Sequence, residues 1–187
     1  MGACGSMMLK NSSTPFWERP QYKTLTKGKW DIIIIMLGTN DAHNTCSAPA
    51  ARKGCSSDWD VDCGGPNATS LENCRFADDF TAMVELVKSL GTTPAGPTVF
   101  AMTPPPLMSS NAGFPTMQTT INTLLPKLYP LMVARHGSGV KGLIDMFTAF
   151  GGVTNWQEKF PQSCVLNSTW PSCPLWCDKQ SCDQVRR

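Results

Sequence analysis

The feature that most constrains this chain is the run Asp31-Ile32-Ile33-Ile34-Ile35-Met36-Leu37, closed by Gly38. Consecutive β-branched side chains are stiff at χ1, which disfavours a helix and suits a pleated surface. An unbroken apolar run of this length, with no polar alternation, predicts a strand buried on both faces inside a parallel sheet. It is far too short to span a bilayer, so no membrane span is expected.

Partners for such a sheet follow in order. Residues Phe76 to Leu90 place Phe76, Phe80, Met83, Val84 and Val87 on one helical face. Asp78 and Asp79 near its start and Lys88 near its end complement the helix dipole, and Gly91 is expected to end it. Pro97 to Met102 reads as a second buried strand, stopped by Thr103-Pro104-Pro105-Pro106. Thr116 to Ala134 carries a helical stripe through Ile121, Leu124, Leu125, Leu128, Leu131 and Met132, which Pro126 and Pro130 should kink or divide. Val140 to Met146 reads as a third strand and Phe147 to Phe150 as a short helix. Strand and helix alternating with turn residues between them is the pattern of an α/β layered fold. A length of 187 residues suits one domain with a real core.

The nine cysteines are the next constraint. Cys46, Cys55, Cys63 and Cys74 form one cluster, Cys164, Cys173, Cys177 and Cys182 another, and Cys4 stands alone. No C-x-x-C pair occurs and only two histidines exist to complete a zinc site, so disulfides are expected, and no metal. Two bridges could form within each cluster, with the connectivity left open. Residues 42–75 read as a Cys-rich insertion held by its own disulfides, and 151–187 as a Cys- and Trp-rich C-terminal segment. Three N-x-S/T sequons, at Asn11, Asn67 and Asn167, lie in polar, turn-rich stretches. Together these point to a secreted protein or one of the secretory-pathway lumen. Met1-Gly2-Ala3-Cys4-Gly5 lacks the basic and apolar regions of a signal peptide, which leads us to expect a true N-terminus upstream. The formal charge is only +2 and the cations are scattered, which argues against a nucleic-acid partner.

In a parallel α/β sheet, chemistry collects at the carboxyl ends of the strands. The first such end is Gly38-Thr39-Asn40-Asp41, where Gly38 can turn the chain and Asn40 can aim its amide into a crevice. The stretch from Asp31 to Asp41 resembles the third block of the SGNH (GDSL-type) hydrolases, a buried strand ending in G-x-N-D. Gly2-Ala3-Cys4-Gly5-Ser6-Met7-Met8-Leu9 resembles the tail of that family's second block. Pro15-Phe16-Trp17 and Gln21-Tyr22 are similar to members related to carbohydrate and sialate O-acetylesterases. Thr103-Pro104-Pro105-Pro106 stands where those proteins have a Pro-rich turn after the fourth strand, and Cys177 to Gln184 resembles the approach to the fifth block, D-x-x-H.

The resemblance implies a three-layer, flavodoxin-like parallel sheet over a single domain spanning 1–187, here without its first one or two strands and with the disulfide-rich insertion. The loss of those strands would expose the edge of the Asp31–Leu37 strand. It also implies ester hydrolysis without a cofactor: a Ser attacks the carbonyl, a His takes its proton, and an Asp three residues before the His orients the ring. Gly5 and Asn40 would hold the oxyanion, Asp183 would be the triad acid, and Gly38 and Asp41 would line the substrate site; His43 could line it too, or stand in a polar surface turn, the reading its neighbours favour. The substrate class implied is a small ester or an acylated carbohydrate. Neither G-D-S nor G-x-S-x-G occurs in the sequence, and Arg186 stands where D-x-x-H requires a histidine. The nucleophile Ser and the base His are thus absent. Ser6 beside Gly5 has no evident base, and His136 reads as a helix C-terminal residue. The expectation is a truncated SGNH sequence with little or no activity as written. The alternative is a non-catalytic secreted carbohydrate-binding or structural module, in which Trp59, Trp156, Trp170 and Trp176 could stack on sugar or pack against disulfides.

Overall fold

The computed structural model describes residues 6–43, 62–106 and 120–152. Of the expected insertion over 42–75 and the expected C-terminal segment over 151–187, residues 44–61 and 153–187, with Trp59, Trp156, Trp170 and Trp176, fall outside the described residues. The described part is a mixed α/β unit around a three-stranded parallel sheet. Strand β1 is Ile32–Ile35, β2 is Thr98–Met102 and β3 is Gly142–Ile144, in the order β1-β2-β3. The register pairs Ile33 with Val99 and Ile35 with Ala101, and then Ala101 with Leu143.

Helix α1 spans Pro20–Lys27, α2 Thr39–His43, α3 Arg75–Lys88, α4 Leu125–His136 and α5 Met146–Ala149. The expected stripe of α3 is all buried: Phe76, Phe80, Met83, Val84 and Val87. Gly91 is not its stop. The helix ends at Lys88 with Ser89 as cap, and Gly91 instead bridges to Trp30 beside the sheet. Pro126 does divide the fourth helical stretch. A wide π-helical turn over Thr120–Leu124 gives way to α4 at Leu125, with Pro126 in the first turn where no N–H is needed. Helix α1 has no fully buried residue: Tyr22 and Leu25 are partly buried against the core, too few apolar positions for the spacing to mark a helix in sequence.

A second expectation is corrected. The Ile-rich strand is not buried on both faces: Ile33 and Ile35 are buried, while Ile32, Ile34 and Met36 are 61, 51 and 47% exposed. Topology explains the difference. The chain adds β2 and then β3 in one direction across the sheet, each through a helical crossover. Crossovers of the usual right hand stack on a single face when strands are added this way. Both crossover helices, α3 and α4, accordingly share one core with Ile33, Ile35, Val99 and Ala101. Among the described residues strand β1 is also an edge of the sheet. It bears none of the charges, prolines or bulges that normally guard an edge.

At the centre of the core, Tyr129 of α4 lies against Phe80 (5.8 Å between ring centroids, 74° between planes) and Phe76 (6.4 Å, 56°). Edge-on and tilted pairs of this kind match the ring quadrupoles. Cys63 and Cys74 form a disulfide that closes the approach to α3. Among the described residues no helix is long and apolar enough to cross a membrane.

Two outcomes follow. Phe80→Ala, which empties the middle of the aromatic cluster, should lower stability by about 3–5 kcal/mol, read from the urea midpoint. Ile34→Lys places a charge on the open edge. It should leave the far-UV circular dichroism unchanged and reduce self-association in sedimentation velocity; unchanged association would mean the edge is not adhesive.

Candidate functional site

All three strands are parallel, so their carboxyl ends lie along one rim of the sheet. At the end of β1 the chain must leave the strand in very little space. Gly38 does so at φ +122°, a region that L side chains rarely adopt. A Cβ there would also lie 3.1 Å from Phe76 Cζ and 3.2 Å from Leu125 Cδ1. The peptide just before it is gripped from α4. Tyr129 Oη donates to the Leu37 carbonyl, and the Leu37 N–H donates back to Oη at 3.4 Å. Burial raises the Tyr129 phenol well above its ordinary range, against the pull of its bond to Leu37, so the group stays a neutral donor.

Helix α2 begins one residue later and carries the G-x-N-D residues. Asn40 Nδ2 donates to the Ser6 carbonyl at 3.3 Å, which sets this amide beside the N-terminal segment. A primary amide has two N–H groups, so one bond to Ser6 leaves the second for another acceptor. Ser6 is itself buried, and its Oγ makes no hydrogen bond. Asp41, fully buried, accepts from the Met8 N–H at 2.9 Å and the Leu9 N–H at 2.8 Å, one on each carboxylate oxygen. Asp79 of α3 takes the next amide, that of Lys10, at 2.9 Å. The loop is closed from behind by Trp17, whose indole N–H donates to the Met8 carbonyl at 2.7 Å while its ring lies 4.5 Å beneath Lys10 Nζ.

Burial pushes the Asp41 carboxyl up to about 6, outweighing the hydrogen bonds from Leu9 and Met8, with the nearby Asp79 charge adding to the rise. The carboxyl is thus held near the top of the acidic range while fixing backbone.

The ends of β2 and β3 are tied by a second polar corner that sequence reading missed. Thr103 Oγ1 donates to Asp145 Oδ1 at 3.0 Å and accepts from the Phe147 N–H at 3.1 Å. Asp145 also caps α5 by accepting from the Thr148 N–H at 3.1 Å. Burial works against the Asp145 charge, but these bonds together hold its carboxyl below the usual range. The only hint in the sequence was an Asp one residue ahead of a short helix.

The structure therefore brings Asn40 and Asp41 together with Ser6, Met8 and Leu9. Gly38 sits at the foot of the group. His43 is the last residue of α2. Gly5 and Asp183 lie outside the described residues. His136 ends α4, as expected, with its Nε2 3.4 Å from Thr81 Oγ1, and burial and the Lys88 charge hold its imidazole below the usual range. Comparison with protein-family models, with curated proteins and with solved structures finds no match.

Asp41→Ala should cost about 2–5 kcal/mol, since it leaves two buried N–H groups unmet. A proton bound more tightly in the folded chain favours folding at low pH. The stability owed to Asp41 is therefore full below pH ~4 and lost as the pH rises through about 6. Against Asp41→Asn as reference, wild-type stability should fall over that window by an amount on the order of 3 kcal/mol, at about 1.4 kcal/mol per pH unit. A flat difference in denaturation midpoint between pH 4 and 7 would contradict it.

Proposed function

We propose that the rim at the end of β1 is the oxyanion-binding part of an SGNH-type ester-hydrolase site, acting on a small ester or acylated carbohydrate. The observation that carries this reading is the Asn40 amide, which leaves the strand end and reaches the carbonyl of Ser6, the residue next to Gly5. The resemblance assigns oxyanion donors to those two places, Asn40 and Gly5. A hole of this kind works only when its donors are fixed before charge develops. Here the fixing is done by Asp41 on the segment after Ser6, and by Gly38 and Tyr129 on the strand end. The same reading makes Asp183 the orienting acid and expects a secreted, disulfide-bonded protein.

Ester turnover also needs a nucleophile and a base. The sequence has no G-D-S, and it has Arg186 where the resemblance places the histidine. Loss of a triad Ser or His removes a factor of about 10⁶ in kcat, whereas oxyanion stabilisation and binding retain roughly 10³–10⁴ over water. The 187-residue chain should therefore show no turnover of a p-nitrophenyl acyl ester at ordinary enzymic rates. A slow residual hydrolysis that drops by about 10²-fold or more in Asn40→Ala would support the oxyanion role. Residual hydrolysis indifferent to that substitution, or robust turnover, would overturn the proposal.

A further inference from the structure

Two of the three sequons lie within the described residues, and both share one pattern of exposure, outer residues open and the middle one more covered. Asn67 closes a tight turn over Gly65–Asn67, reached through Gly64 at φ +85° and Gly65 at φ +54°. The residue after it, Ala68 (φ −52°, ψ 121°), is buried. Asn67 and Thr69 on either side of it are both exposed. At Asn11 the middle residue is again the one held down: the Ser12 N–H and Oγ both donate to the Leu9 carbonyl, at 3.2 and 2.6 Å. Asn11 and Ser13 on either side of it are exposed.

We propose that Asn67 and Asn11 are N-glycan acceptors. In each, the amide and the hydroxyl two residues on are presented outward, and the residue between them is fixed to the body of the protein. In the transfer, a bond forms between Asn Nδ2 and the anomeric carbon of an oligosaccharide. The bond from that carbon to the pyrophosphate oxygen of a polyprenyl-linked donor breaks, the polyprenyl pyrophosphate departs, and the amide gives up a proton. A glycan at either site would extend into solvent without displacing a core side chain. The inference rests on the secretory-compartment part of the functional reading and not on its ester chemistry.

The test is the full chain, carrying an appended leader, translated in the presence of endoplasmic-reticulum microsomes and mapped by peptide mass before and after peptide-N-glycosidase. Glycan is expected on the peptides containing Asn67 and Asn11. Asn67→Gln and Thr69→Ala should each remove one mobility step, Thr69→Ser should keep it, and Asn11→Gln should remove another. Unmodified Asn67 in chain protected from added protease, or a step that survives Thr69→Ala, would overturn the proposal. The leader supplies translocation, so such a failure falls on the site alone. The compartment reading is judged separately, by whether Cys63 and Cys74 of the native product are paired.

Discussion

Three consecutive main-chain amides, those of Met8, Leu9 and Lys10, are each met by a carboxylate. The rest of the rim depends on this. An irregular segment can lie in the interior only if its polar backbone is satisfied, and among the described residues no strand of the sheet pairs with it. Asp41 and Asp79 take that part from two different helices, α2 and α3. The segment is thereby stitched to both sides of the β1 exit, and Met8 and Leu9 can join the core. Asp41 is the costly member, since its charge is fully desolvated. Its raised pKa reports that cost, and the opposite displacement at Asp145 shows what a hydrogen-bonded carboxylate with more water around it experiences.

The second constraint is topological. A sheet that grows in one direction collects its crossover helices on one face, and among the described residues the strand begun first remains an edge. The Ile-rich strand therefore has two characters. Ile33 and Ile35 anchor the core, and Ile32 and Ile34 face outward. Composition could not separate these, because an isoleucine run carries no period. That is why the strand itself was plain in the sequence and its one-sided burial was not. The amphipathic helices were readable for the converse reason. The spacing of Phe76, Phe80, Met83, Val84 and Val87 fits one face of a helix and no face of a strand. Helix α1, which meets the core through the partly buried Tyr22 and Leu25, left no such trace.

The site was only half visible beforehand, and the division is again physical. Gly38 and Asn40 stand next to a strand end, so a local pattern pointed to them. The contacts that give the place its shape join residues far apart in the chain: Asp41 to Met8, Tyr129 to Leu37, Thr103 to Asp145. Nothing local to these residues announces the contacts they make. Long-range hydrogen bonds become apparent only when strand order and helix packing are known. Asp41 illustrates this most clearly, since its neighbours in sequence suggest a cleft residue and its neighbours in space are backbone amides.

The broad turn at Thr120–Leu124 has a consequence for how this chain can vary in length. A π turn accommodates one residue more than an ordinary α turn does, and α4 starts cleanly after it. A shortening by one residue at that point could be absorbed by tightening the turn, leaving every later side chain at its present azimuth. The same deletion beyond Leu125 would rotate the helix by roughly 100° per residue and swing the tyrosine off the strand it clasps. Indels among relatives of this protein should therefore gather ahead of the proline and be purged after it.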